Sequence, residues 1–99
     1  MIIGTTPHHI FNVTLKADEI VKVKITYKQN GEEVLVKRES DCDITDYKIS
    51  VRLSQEDTFK FSTKYAVELQ IRVVTSGDDV ASSFPIRISA DACLDNEVL

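Results

Sequence analysis

Few residues in this chain are of the types that carry catalytic or metal chemistry, and their spacing argues against a reactive site. His8 and His9 are adjacent. Neighbours in an extended chain point to opposite sides, so the two imidazoles make a poor chelating pair, and we interpret them as a polar segment leading into a strand. Residue types alone leave a Ser-His-Asp arrangement open. The sequence has no nucleophile-elbow motif, however, and we expect neither an enzyme nor a catalytic residue.

The two cysteines, Cys42 and Cys93, are far apart in the sequence. Two thiols cannot complete a four-ligand structural zinc site, and neither belongs to a Cys-x-x-Cys pair. Cys42 falls in a predicted loop and Cys93 in a predicted tail, which are not the facing core positions of an immunoglobulin disulfide. Whether they pair in an oxidising compartment stays open at this point.

An acidic stretch between two predicted strands resembles the opening of a calcium-binding loop. Its carboxylates are Glu39, Asp41, Asp43 and Asp46. The Asp41-x-Asp43 spacing fits such a loop, but the glycine and the distal bidentate glutamate of an EF-hand are missing. We interpret the stretch as a solvated turn and expect no metal or cofactor, with a cation between strands as the open alternative.

Composition limits the partners. The 99 residues fit one domain, and sixteen Asp and Glu against twelve Lys and Arg give a formal charge of -4, which argues against nucleic acid. Lys22, Lys24 and Lys28 form a basic stripe, which we interpret as a soluble outer face, while an acidic partner stays open. No apolar run reaches the ~20 residues that span a bilayer. Residues 1–9 also lack a signal-peptide pattern, so we expect no membrane partner and a cytoplasmic chain.

The elements that must position these residues are strands, because apolar and polar residues alternate along most of the chain. In the segment 21–27 the residues Val21, Val23, Ile25 and Tyr27 share one face of a strand, whereas on a helix they would scatter around the axis. Seven strands are predicted, at 9–16, 20–28, 33–38, 47–53, 59–61, 65–75 and 80–89. This pattern predicts an all-β, antiparallel, immunoglobulin-like β-sandwich over residues 1–89, followed by an acidic tail at 90–99.

Turn-forming residues set the expected pairing. Asn30-Gly31 predicts a type I′ hairpin turn, since both residues tolerate positive φ. Two-residue closure then pairs Tyr27 with Val34, Ile25 with Val36, Lys28 with Glu33 and Lys24 with Lys37.

Three further expectations concern the second half of the chain. Ser54 and Asp57 predict a capping box and a single turn of helix. The segment 76–79 predicts a second hairpin turn, and Pro85 predicts that the last strand is a sheet edge. All seven aromatic residues are expected to face inward, namely Phe11, Tyr27, Tyr47, Phe59, Phe61, Tyr65 and Phe84.

Four stretches together resemble a family. They are 23–31 (VKITYKQNG), 51–61 (VRLSQEDTFKF), 70–83, which begins QIRVVTSG and reaches Ala81-Ser82-Ser83, and 93–99 (CLDNEVL). They are similar to small prophage-encoded proteins of Gram-positive bacteria from tail and baseplate gene modules. The resemblance covers most of the chain and implies a virion or assembly role, with no catalytic residues to transfer.

The leading hypothesis is therefore a non-enzymatic phage structural module, a tail or baseplate adaptor or decoration protein. Its partners would be other phage structural proteins and copies of itself, bound by docking or strand addition. It would reside in the host cytoplasm during assembly and then in the virion. The alternative is a carbohydrate- or cell-surface-binding β-sandwich module, which the inward aromatics disfavour. A third hypothesis is a regulator recognised through its last residues, Glu97-Val98-Leu99.

Overall fold

The chain folds into two antiparallel sheets that pack face to face, as seen in a computed structural model that describes residues 1–83, 85–93 and 98. The helical elements are short: α1 (Gln55–Phe59) and 3₁₀ turns at Ala17–Glu19 and Glu39–Asp41. The described strands are β1 (His8–Asn12), β2 (Ile20–Gln29), β3 (Glu32–Arg38), β4 (Cys42–Thr45), β5 (Lys48–Arg52), β6 (Val67–Thr75), β7 (Val80–Ser82) and β8 (Ile86–Ile88). The prediction of an all-β sandwich is confirmed, while its assignment to the immunoglobulin-like class stays a prediction.

The two sheets differ in width. The smaller has the strand order β1-β5-β4. The larger has the order β3-β2-β6, and both β7 and β8 pair with β6 along its remaining side. Within the described chain, the larger sheet is therefore one strand wider than the smaller one.

The core lies between the sheets and is built by the predicted alternation. Tyr27, Ile25 and Ile49 are fully buried, and their sequence neighbours on the opposite face are more exposed. Among the residues that the structure describes, the buried apolar ones form a single cluster, which consists of Ile3, Phe11, Val23, Ile25, Tyr27, Leu35, Ile49, Val51, Leu53, Phe61, Val67, Leu69, Ile71, Val73 and Ala90. Period-2 patterning therefore selects the face that each strand buries.

The first hairpin has the predicted turn but a different register. Asn30 and Gly31 have φ values of 51° and 77°, as a type I′ turn requires, and Lys28 pairs with Glu33. A β-bulge then makes Val34 an extra residue. The pairings beyond the bulge are Tyr27 with Leu35, Thr26 with Val36, Ile25 with Lys37 and Lys24 with Arg38. The predicted pairs of Tyr27, Ile25 and Lys24 were wrong. One inserted residue shifts the register of the rest of β3, so that its side chains lie on the opposite face from the one predicted.

The segment between β3 and β5 also differs from the prediction. A loop was expected near Cys42, but β4 pairs with β5 there, with Cys42 and Ile44 less exposed than Asp43 and Thr45. The alternation of β4 is present, but it is short and includes polar residues, so the strand was not predicted from the sequence. The predicted strand 9–16 likewise pairs as a strand only up to Asn12.

The predicted helical turn is confirmed, and it displaces the predicted strand at 59–61. The Asp57 amide donates to Ser54 Oγ at 3.1 Å, and the Ser54 amide donates to Asp57 Oδ2 at 3.0 Å, which completes the capping box. Helix α1 continues to Phe59. The amides of Lys60 and Phe61 then bond to nearby carbonyls within this turn, so they are not available to a sheet.

The edge prediction for Pro85 is confirmed. β7 and β8 form the edge of the larger sheet, and Pro85 lies in the interruption between them. Ser83 bridges this interruption, because its amide donates to the Ile71 carbonyl at 3.0 Å and its Oγ accepts from the Ile71 amide at 3.1 Å.

The start of the predicted tail is paired with the N-terminus. Ile2 and Asp91 form a parallel bridge, and the amide of Ile3 donates to the Asp91 carbonyl at 2.9 Å. Ala90 is buried. The rest of the predicted tail at 94–97 and 99, with most of the proposed recognition motif, lies outside the described residues.

Replacing Gly31 with valine tests the turn and is expected to lower the free energy of unfolding by about 2 kcal/mol, because a β-branched residue resists a positive φ. No atom lies within 4 Å of the added Cβ, so the cost is conformational rather than steric. Gly77→Val is the control, since Gly77 lies in the other hairpin turn and lacks a positive φ. Thermal denaturation checks both variants, and an unchanged melting temperature for Gly31→Val would contradict the turn type.

Candidate functional site

The two histidines point to opposite sides of β1, as their adjacency predicts. His8 is exposed, whereas His9 is half-buried and its Nδ1 lies 2.7 Å from the Tyr27 hydroxyl oxygen. Burial lowers the pKa of His9, with the N-terminal charge as a smaller cause, and burial raises the pKa of Tyr27 above its usual value. His9 is thus a neutral hydrogen-bonding partner of a core tyrosine rather than part of a polar lead-in alone.

The cysteines are not bonded to each other. Cys42 and Cys93 are both free thiols in this structure. Burial, followed by the negative charges of Asp41, Glu39 and Asp43, raises the pKa of Cys42 to about 11. Its Sγ donates a hydrogen bond to the Arg38 carbonyl at 3.3 Å. A protonated thiol of this kind is a weak nucleophile at neutral pH.

The acidic stretch is dispersed by the fold. Three of its carboxylates accept hydrogen bonds from separate backbone amides: Glu39 from Val23 at 3.3 Å, Asp41 from Arg38 at 3.0 Å and Asp46 from Ala17 at 2.9 Å. Among the described residues, no group of three or more His, Cys, Asp or Glu side chains is arranged to hold a metal ion. These acids act as turn and strand-end acceptors.

Two of the aromatic predictions were wrong. Tyr47 is 51% exposed and Tyr65 is 45% exposed. Tyr47 has a φ of 66° in the turn between β4 and β5, and Tyr65 precedes β6, so strand alternation extends to neither residue. The Tyr65 carbonyl accepts a hydrogen bond from Gln29 at the end of β2, whereas the Tyr47 amide donates to the Leu15 carbonyl. The prediction for Phe84 falls outside the described residues.

The free edge of β1 presents unpaired backbone groups. The Val13 amide donates to the Tyr47 carbonyl and the Leu53 amide donates to the Pro7 carbonyl, both at 3.0 Å, so the odd-numbered residues bond to β5. In an antiparallel ladder the intervening residues point the other way. The amide and carbonyl groups of His8, Ile10 and Asn12 therefore face outward, and no hydrogen bond from the described residues reaches them.

An apolar groove runs beside this edge, because the smaller sheet does not cover the full width of the larger one. Its wider part has a volume of about 510 Å³ and lies between β1 and the β6–β7 side of the larger sheet. A second part of about 300 Å³ continues toward β8 and the N-terminus. Both parts share Ile10, Phe11 and Ile86, and Ile10 is 57% exposed.

Neither the free edge of β1 nor the groove beside it was predicted from the sequence. Ile10 occupies the polar face in the alternation of β1, and an apolar residue on that face was the one available signal. Ile86 and Phe11 both line the groove because the two sheets differ in width. The alternation of apolar and polar residues does not predict the width of a sheet.

No helix in the described part of the chain has the length and hydrophobicity that crossing a bilayer requires. Compared with known proteins, the chain matches no family model and shows no significant similarity to a curated protein or to a solved structure.

Proposed function

We propose that this protein is a non-enzymatic interaction module that binds a partner protein by adding a strand to β1. The observation that carries the proposal is the unpaired row at His8, Ile10 and Asn12 beside the apolar groove. A strand added there would gain main-chain hydrogen bonds from the edge and would bury alternate side chains in the groove. It would also give the smaller sheet the width of the larger one.

The biological setting that we propose is a phage tail or baseplate, with the protein as an adaptor or decoration subunit. This setting rests on the resemblance to prophage-encoded proteins that we expect from segments such as 51–61 and 23–31. Partners would then be other phage structural proteins or further copies of this chain. Such assemblies use repeated copies, for which an exposed edge is a direct means of attachment.

Carbohydrate binding is the second candidate, favoured by the exposure of Tyr47 and Tyr65. Sugar-binding faces usually stack rings against several aromatic side chains, but these two tyrosines belong to separate loops, Tyr47 to the turn between β4 and β5 and Tyr65 to the segment before β6. The structure therefore supports the interaction module better. A glycan array on which the protein binds a defined sugar would reverse this ranking.

Replacing Ile10 with proline tests the proposal and is expected to abolish partner binding while changing the free energy of unfolding by only about 1 kcal/mol. Proline removes the outward amide of residue 10 and leaves the hydrogen bonds between β1 and β5 intact. Edge strands tolerate proline at such outward positions. Binding is measured by co-sedimentation of the purified chain with phage particles and tail assemblies from the encoding lysogen. Self-association is measured by sedimentation velocity.

Ile10→Thr is the matched control, because it keeps the outward amide and shortens the apolar side chain. We expect this variant to retain partial binding. Wild-type protein that stays monomeric and binds no tail component would overturn the proposal, as would an Ile10→Pro variant that binds as well as wild type.

A further inference from the structure

A second surface, on the outer face of the larger sheet, gathers positive charge. A groove of about 360 Å³ crosses this face over β2, β3 and β6. It is lined by four cationic side chains, one carboxylate and apolar residues, namely Lys22, Lys24, Arg38, Arg72, Glu39, Val23, Val74 and Val80. The predicted basic stripe contributes only its first two lysines to this groove.

The strand register forces these cations together. Lys24 lies directly opposite Arg38 on β3 and directly opposite Arg72 on β6. Like charges in directly opposed positions destabilise a sheet. Among the described residues, the ion pairs within 4.0 Å involve other cations, namely the N-terminus, Lys37, Lys60 and Arg87. Among the described residues, no carboxylate therefore lies within 4.0 Å of the charged groups of Lys24, Arg38 or Arg72.

The one carboxylate in the groove is already engaged. Glu39 Oε2 accepts a hydrogen bond from the Val23 amide at 3.3 Å. Hydrogen bonds from the backbone amides of Glu39 and Val23 lower its pKa, and the charges of Arg38 and Lys22 add to this effect. Glu39 offsets one of the four positive charges, and the groove keeps a net excess.

We infer that this groove binds an acidic segment of a partner protein, in which carboxylates lie next to an aliphatic side chain. The four cations supply the charge complementarity, and Val74 and Val80 supply an apolar contact at the β6–β7 side of the same groove. Nucleic acid fits less well, because the chain carries a net charge of -4 and the cations fill one short groove rather than a long track. The groove lies on the outer face of the larger sheet, so this binding is independent of strand addition at β1.

The experiment titrates the full chain with a synthetic peptide of Glu-Glu-Val repeats and follows backbone amide shifts by NMR at low ionic strength. A Gln-Gln-Val peptide of equal length is the neutral probe. The test variant is Lys24→Gln combined with Arg72→Gln. Its matched control is Lys28→Gln combined with Arg87→Gln, which removes the same charge from the same sheet outside the groove.

We expect the acidic peptide to shift the amide resonances around Lys24 and Arg72. The dissociation constant of the peptide should be at least about fivefold higher for the test variant than for wild type. The control variant should bind the peptide nearly as well as wild type. Added salt should weaken binding. The inference is overturned if the neutral peptide binds equally, or if the control variant loses as much affinity. It is also overturned if single-stranded DNA or inorganic tripolyphosphate binds this groove more tightly than the peptide. None of these outcomes depends on Ile10.

Discussion

Replacing Asp57 with alanine is expected to lower the free energy of unfolding by about 3 kcal/mol, because it removes one partner of a largely buried ion pair and the side-chain acceptor of the Ser54 amide in the capping box of α1. Asp57 Oδ2 lies 2.9 Å from Lys37 Nζ, and the two side chains are only 11% and 17% exposed. The same oxygen accepts the Ser54 amide at 3.0 Å. Urea denaturation measures the loss.

The largest part of this loss of stability comes from leaving Lys37 without its ion-pair partner. With Asp57 gone, its ammonium group stays partly buried without a carboxylate, whereas Lys60 is well exposed and lies 4.0 Å from the other Asp57 oxygen. An unpaired charge at such a site costs more than the pair contributes. A double variant, Asp57→Ala with Lys37→Met, should therefore be more stable than Asp57→Ala alone.

The pair also predicts a pH dependence. Burial raises the pKa of Asp57, but hydrogen bonds from Lys37 and Ser54 and the Lys37 charge together outweigh it and lower the pKa below 3.8. As the pH falls, Asp57 is therefore protonated in the unfolded chain at a higher pH than in the folded chain. Stability from this carboxylate is present above pH 3.8 and is lost as pH falls through the lower folded value. In the double variant this part of the acid dependence should be absent, and an unchanged profile would contradict the assignment.

The contrast between Ser54 and Lys37 shows which contacts of this chain can be predicted from the sequence. The capping box is local, so Ser54 and Asp57 identify each other at a fixed spacing. The ion pair depends on the bulge at Val34. Without it, Lys37 would oppose Lys24 and face outward, and with it Lys37 opposes Ile25 on the face toward the core. A single inserted residue has no signature in the alternation of β3.

The candidate surfaces were less predictable than the strands, because they depend on how sheets are ordered and how widely they overlap. Alternation places Ile25 and Ile49 in the core without knowledge of the topology. To predict the free edge at Ile10, one must know that β5 is the only described strand that pairs with β1. The basic groove requires knowing that β2 lies between β3 and β6, which brings Arg38 and Arg72 to Lys24.

Gln29 is a further residue whose role appears only in the folded chain. It lies at the end of β2, where the predicted strand had already stopped, and it is buried. Its Nε2 donates to the carbonyls of Ser62 at 2.6 Å and Tyr65 at 3.0 Å, and its Oε1 accepts from the Ser62 amide at 2.8 Å. One amide side chain therefore satisfies three backbone groups of the segment between α1 and β6 and fastens that segment to the larger sheet.

Replacing Gln29 with leucine is expected to lower the free energy of unfolding by about 2–3 kcal/mol, since the side-chain volume is nearly kept while three backbone groups lose their partner. Gln70→Leu is the matched control: it makes the same chemical change on β6 but removes one hydrogen bond, from Nε2 to the Ser83 carbonyl at 2.8 Å, and should cost about 1 kcal/mol. Equal losses for the two variants in urea denaturation would show that the network at Gln29 adds nothing beyond a single hydrogen bond. A larger loss at Gln29, with faster amide exchange at Ser62, is the expected result, because that amide has no other acceptor among the described residues.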